Sequence, residues 1–169
     1  MRAQWRVQQG GDGESVLLLL HGLGATGDVW NRLHNVLRRR WPGRWVTPDL
    51  PGHGGSGPLP GYSFGHLAAA VARMVPSATR LVVLGHSLGG VVALALASGW
   101  FGVRVSAVGG LGIKVAWTEE ELARAGALAA GRACHFAANT PGSATRSTHP
   151  PLDMRVVSSG ICLARKASA

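Results

Sequence analysis

A chain of 169 residues allows one domain of ordinary size and at most a small appendage. At 46% hydrophobic and 15% charged it is too apolar for a disordered chain. Its longest apolar stretch, 81–97, is broken by Gly85, His86, Ser87, Gly89 and Gly90, which excludes a membrane span.

The formal charge of +9 has two sources: 12 Lys+Arg against 7 acids over 1–130, and 5 against 1 over 131–169. Its one dense run, Arg38-Arg39-Arg40, closes a helical segment before Pro42-Gly43, where cations complement the helix dipole. That run reads as a solvated helix end. Cys134 and Cys162 have neither metal spacing nor a disulfide framework, and nothing near Met1 has leader character. The expectation is a cytoplasmic protein acting on a small-molecule substrate, with no nucleic-acid partner, no membrane partner, no metal and no cofactor; the sequence assigns no oligomeric state.

In chain order, Gln4–Gln8 alternates about Trp5 and Val7 and reads as an edge strand, ended by Gly10-Gly11-Asp12-Gly13 as a hairpin-type turn. Val16–Leu20 reads as a buried strand, Asp28–Arg40 as a helix, Trp45–Thr47 as a strand and Ser63–Val75 as a helix. Leu81–Leu84 is a third buried strand, Leu88–Ser98 a helix and Val103–Val108 a fourth buried strand. Alternating strands and helices build a mostly parallel sheet with flanking helices. Thr118 and Glu121 form a capping box that opens a helix reaching Ala130. From Gly131 to Ala169 no period of 2 or 3.6 persists, and the segment reads as irregular.

Three glycine-rich turns follow strands. Gly85-His86-Ser87-Leu88-Gly89 is a G-x-S-x-G between a strand and a helix, a sharp turn that pushes Ser87 out at the sheet's carboxyl edge. The Leu88 N–H then lies at a helix N-terminus, where it can meet a developing oxyanion. His21-Gly22-Leu23-Gly24 offers the Leu23 N–H as a second donor. A rival reading uses Gly22, Gly24 and Gly27 as a G-x-G-x-x-G, with Asp49 as a ribose-binding acid, and implies a dinucleotide-binding oxidoreductase domain. Asp49-Leu50-Pro51-Gly52-His53-Gly54-Gly55-Ser56 is a loop in which Asp49 is expected to bond backbone N–H groups.

Together, H-G-x-G, D-x-x-G-x-G-x-S and G-H-S-x-G in this order resemble the α/β-hydrolase superfamily over about residues 4–116. The resemblance implies an α/β fold, serine hydrolysis of an ester, amide or related carbonyl substrate through an acyl-enzyme, Ser87 as nucleophile and Leu23 and Leu88 as the oxyanion hole. Residues 1–116 would be the N-terminal part of the hydrolase core, 117–130 the start of a cap helix, and 131–169 an irregular tail. The family's acid and histidine should follow later strands. Glu119, Glu120, Glu121, Asp153, His135 and His149 follow none that is recognisable, so the triad acid and base are unassigned. The expectation is an incomplete α/β-hydrolase fold, truncated or read out of frame beyond about Ala130, with an inert pseudo-hydrolase as the alternative.

Overall fold

The computed structural model describes residues 4–75, 80–113, 118–124, 153–158 and 161–165. Its centre is β2 (Ser15–Leu20), in which Val16 to Leu20 are all at most 7% exposed. A strand covered on both faces needs no polar alternation, which is why it reads as an unbroken apolar run. The side chains still alternate. Val16, Leu18 and Leu20 enter one core cluster, and Leu17 and Leu19 join Trp30, Leu37 and Trp45 in the other.

Among the described residues the strands are β1 (Val7–Gly10), β2, β3 (Arg44–Pro48), β4 (Arg80–His86), β5 (Val105–Leu111), β6 (Asp153–Ser158) and β7 (Ile161–Arg165). They lie in the order β1-β3-β2-β4-β5-β7-β6. The central four, β3, β2, β4 and β5, run parallel, and both edges are antiparallel. One core cluster contains Leu67, Ala68 and Val71 of α2 (Phe64–Met74) with Val92, Ala93 and Leu96 of α3 (Leu88–Ala97). The other contains Leu37 of α1 (Asn31–Arg40). Ser63 caps α2 by accepting the His66 N–H at 3.0 Å.

Four expectations change. Strand β1 pairs with β3, Val7 opposite Pro48, rather than forming a hairpin with β2. Gly11 and Gly13, at φ 71° and 112°, carry the chain past the Pro42–Gly43 turn, and β3 already occupies that edge of β2. The helix expected from Asp28 is a 3-10 turn, Gly27–Trp30, followed by α1; Thr26 Oγ1 accepts the Asp28 N–H at 3.4 Å. The strand expected at Val103 starts at Val105 and continues to Leu111 through Gly109-Gly110, whose lack of side chains hid it. Two strands also lie inside the range read as irregular. They are short, antiparallel and laid on β5, a form in which period and length carry little signal.

The capping box is present: the Glu121 N–H donates to Thr118 Oγ1 at 3.3 Å and the Thr118 N–H to Glu121 Oε2 at 3.0 Å, opening a helix over 119–124. Its expected continuation to Ala130 lies outside the described residues. No helix among the described residues is long and apolar enough to cross a membrane.

Candidate active site

Strand β4 ends at His86 and α3 begins at Leu88, so the chain must reverse at one residue. That residue is Ser87, at φ 51° and ψ −116°, the only non-glycine residue with positive φ among those described. Such a conformation costs about 1–3 kcal/mol and persists only where its surroundings enforce it. Here the Ser87 N–H donates to the Leu111 carbonyl at 2.8 Å, and the Ser87 carbonyl accepts from Gly90 at 2.9 Å and Val91 at 3.1 Å. The flanking glycines are required by contact. A Cβ on Gly85 would overlap the backbone of Gly89, and one on Gly89 the carbonyl oxygens of Leu20 and His21.

Ser87 opens into a cleft of about 370 Å³ lined by Gly22, Leu23, Ala25, Val29, Trp30, His86 and Leu111. Leu23 sits on a tight turn closed by the Ala25 N–H on the Gly22 carbonyl at 3.2 Å, with Gly24 at φ 72°. Its side chain is 77% exposed. Leu88 is the first residue of α3, in the turn whose N–H groups have no intrahelical acceptor. The fold therefore brings together the three residues singled out from sequence.

His21 positions this turn, a role its motif did not reveal. It is fully buried; the Leu50 N–H donates to Nε2 at 2.8 Å, which leaves Nδ1 to carry the proton and donate to the Gly22 carbonyl at 2.8 Å. Burial, opposed by the Gly22 bond and Asp49 and assisted by His53, holds the imidazole below its ordinary pKa. His34, stacked on Trp45 with ring centroids 3.9 Å apart and bonded to Thr47 Oγ1 at 2.9 Å, is lowered chiefly by burial too. A lowered histidine pKa means that the unfolded chain takes up protons first on acidification. Stability is therefore complete above about pH 6.5 and falls as pH drops from there toward the folded pKa values. Urea midpoints measured between pH 7.5 and 5 should decline in that direction, and His34→Gln should flatten the decline.

Asp49 does what its loop predicts. Its carboxylate accepts the N–H of Gly27 at 2.8 Å and of Gly55 at 3.0 Å, and pairs with Arg6 at 3.1 Å. This overturns the dinucleotide reading built on Gly22, Gly24, Gly27 and Asp49. The acid that would hold a ribose is already bonded to two backbone N–H groups and Arg6, and the Gly27 N–H is consumed by it.

The remaining histidines are placed as follows. His53 stands edge-on to His21 at 5.2 Å, with Nδ1 3.2 Å from the Pro51 carbonyl. The His86 ring lies between Gly22 and Gly112, 3.0 and 3.3 Å from where their Cβ atoms would be. Among the described residues, no hydrogen bond joins Ser87 Oγ to an imidazole or carboxylate. Glu119, Glu120 and Glu121 belong to the 119–124 helix, and Asp153 opens β6, three strands from β4 in the sheet order. His135 and His149 lie outside the described residues. Among the described residues no group of three or more metal-ligating side chains occurs.

A model of the alpha/beta hydrolase family matches residues 17–161, and the chain belongs to that family. Over 97 residues it is 39% identical to the magnesium-chelatase 30 kDa subunit of Rhodobacter capsulatus, covering 55% of this chain and 34% of that one. Over 94 residues it is 45% identical to the pimeloyl-[acyl-carrier protein] methyl ester esterase of Aeromonas hydrophila, covering 54% and 35%. The solved thermophilic esterase from Thermogutta terrifontis superposes with a TM-score of 0.58 at 25% identity, over 69% of this chain and 43% of that one. The chain spans about a third of the length of these two curated relatives. Membership of the family and likeness to esterases make this a hydrolase by resemblance.

Proposed function

We propose that Ser87 is the nucleophile of a hydrolase acting on an ester, amide or related carbonyl substrate. The observation that supports this reading is the positive φ of Ser87 on a strand-to-helix turn at the lining of the cleft, a strained conformation of the kind that holds a nucleophilic serine. In the reaction Ser87 Oγ attacks the carbonyl carbon as its proton passes to a base, and the N–H groups of Leu23 and Leu88 receive the negative oxygen. The bond to the leaving group breaks, that group departs with the proton, and water then releases the acid from the acyl-serine. Each oxyanion donor is worth about 2.7–4 kcal/mol in sites of this type. The route uses no cofactor. The esterase relatives support a carboxylic ester as the first substrate class to try.

A second reading is an inert scaffold, favoured by the missing bond between Ser87 Oγ and any described imidazole. A serine without a base stays protonated and weakly nucleophilic. Incubation with a fluorophosphonate, followed by peptide mass spectrometry, separates the two. The expected result is one adduct per chain on Ser87, lost in Ser87→Ala while the melting curve is retained. A folded wild-type chain that takes no label establishes the scaffold instead.

A further inference from the structure

The end of the sheet opposite Ser87 carries a feature that the hydrolytic site leaves unused. Register places the starts of β3, β2, β4 and β5 side by side: Val16 stands opposite Arg44, Ser15 opposite Arg80, and Leu81 opposite Val105. Arg44 and Arg80 are thus the first residues of their strands, and Arg104 immediately precedes β5. At about 4.8 Å per strand, the row from β3 to β5 spans about 14 Å. Arg38, Arg39 and Arg40, all exposed, end α1 and lead through Pro42-Gly43 into the same edge. Against them stand Asp12 and Glu14, on the turn packed against Pro42 and Gly43. Among the described residues none of Arg39, Arg40, Arg80 and Arg104 forms an ion pair, and Arg44 Nε is buried without an acceptor.

An exposed aromatic accompanies these charges. Trp100 is 74% exposed on a turn between Gly99 at φ 83° and Gly102 at φ 73°, while its neighbour Phe101 packs on the core. Trp100 is four positions before Arg104, so it lies within about 14 Å of the row. Trp41 differs: its Nε1 is bonded to the Arg44 carbonyl at 3.1 Å, and the side chain is half-buried.

We propose that this face docks the protein on an anionic phospholipid surface, with Trp100 at headgroup level and the arginines against lipid phosphates. Interfacial tryptophan beside basic side chains is what a bilayer surface rewards. A single-stranded nucleic acid would call for several free aromatic rings along a track, and beside these arginines Trp100 is the one free ring among the described residues. Strand β4, seven residues long, separates the face from Ser87 by about 20 Å, so docking leaves the cleft open to solvent. The expectation of no membrane partner rested on the interrupted apolar stretch at 81–97, and the arginine run at 38–40 was read only as a solvated helix end. Neither bears on a face assembled from separate strand starts.

The test is co-sedimentation of the full chain with vesicles of phosphatidylcholine alone, or with a quarter phosphatidylserine, in 0.15 M NaCl. The expected result is partition onto the serine-containing vesicles only, abolished by 0.5 M NaCl, where screening shortens the reach of the charges. Arg80→Gln with Arg104→Gln should weaken partition roughly thirtyfold, at the usual contribution per basic residue near a charged surface. Trp100→Ala should weaken it without changing its salt dependence. All these side chains are exposed, so the melting curves should match wild type. Failure of wild type to sediment, equal binding to both vesicles, an unaffected double variant, or binding of an oligothymidylate but not of vesicles each overturns the proposal.

Discussion

Gly89→Ala is expected to destabilise the protein and to remove Ser87 from its cleft, although alanine is the better helix former by about 1 kcal/mol. The Gly89 Cα faces the end of β2 so closely that an added Cβ meets the carbonyl oxygens of Leu20 and His21, which are backbone and cannot rotate away. Either α3 slides outward or the turn at His21 moves; both displace the peptide after Ser87 relative to the Leu23 turn. Overpacking of this kind costs typically 1–3 kcal/mol, and a rigid obstacle places it at the upper end, so the net loss is about 2 kcal/mol. Denaturant melts read the stability change, and fluorophosphonate labelling reads the geometry. Gly24→Ala is the control. It meets nothing within 4 Å and carries only the strain of its φ of 72°, about 1 kcal/mol. Equal effects at the two positions would show that contact with β2 is not what requires glycine at 89.

Asp49→Ala is expected to cost about 3 kcal/mol, because two loops lose the acceptor that joins them. The Gly27 N–H is buried and that of Gly55 partly so; stripped of their carboxylate, each pays a desolvation cost of about 1–3 kcal/mol. Arg6, which also bonds Asp28, keeps one partner and stays in solvent, so it adds little. Burial pushes the Asp49 carboxyl up, and the Gly27 and Gly55 N–H groups with Arg6 overcome it, leaving the pKa below that of an ordinary aspartate. Its contribution is therefore complete above about pH 3.9 and is lost as pH falls through the folded value. Wild type and Asp49→Ala should differ in urea midpoint at pH 7, and the gap should narrow toward pH 2. A constant gap would mean that shape, rather than charge, holds the loops.

Much of this architecture is legible in the sequence because its signals are local. A strand buried on both faces is a short apolar run, as in Leu17 to Leu20, and a helix start is a capping residue, as at Ser63 and Thr118. The turn at Ser87 reveals itself because only small residues fit beside it. These features need no knowledge of distant neighbours. Local reasoning falters where a glycine pair sits inside a strand, as at Gly109-Gly110, and where strands are short antiparallel additions, as in β6 and β7.

What only the tertiary structure decided is which distant groups meet. Asp49 as a letter in a motif admits a rival reading beside the loop role expected of it, and its bonds to Gly27 and Gly55 bear out the loop role. His21 is a loop residue in sequence, and becomes the brace of the Gly22 turn because Leu50 donates to its far nitrogen. Strand β1 pairs with β3 because β3 has already taken the edge of β2. Arg44, Arg80 and Arg104 are scattered along the chain and become one row only through the parallel register. Local preference is set by the covalent neighbourhood of each residue, whereas hydrogen-bond partners and charge fields depend on contacts that the fold brings together from separate elements.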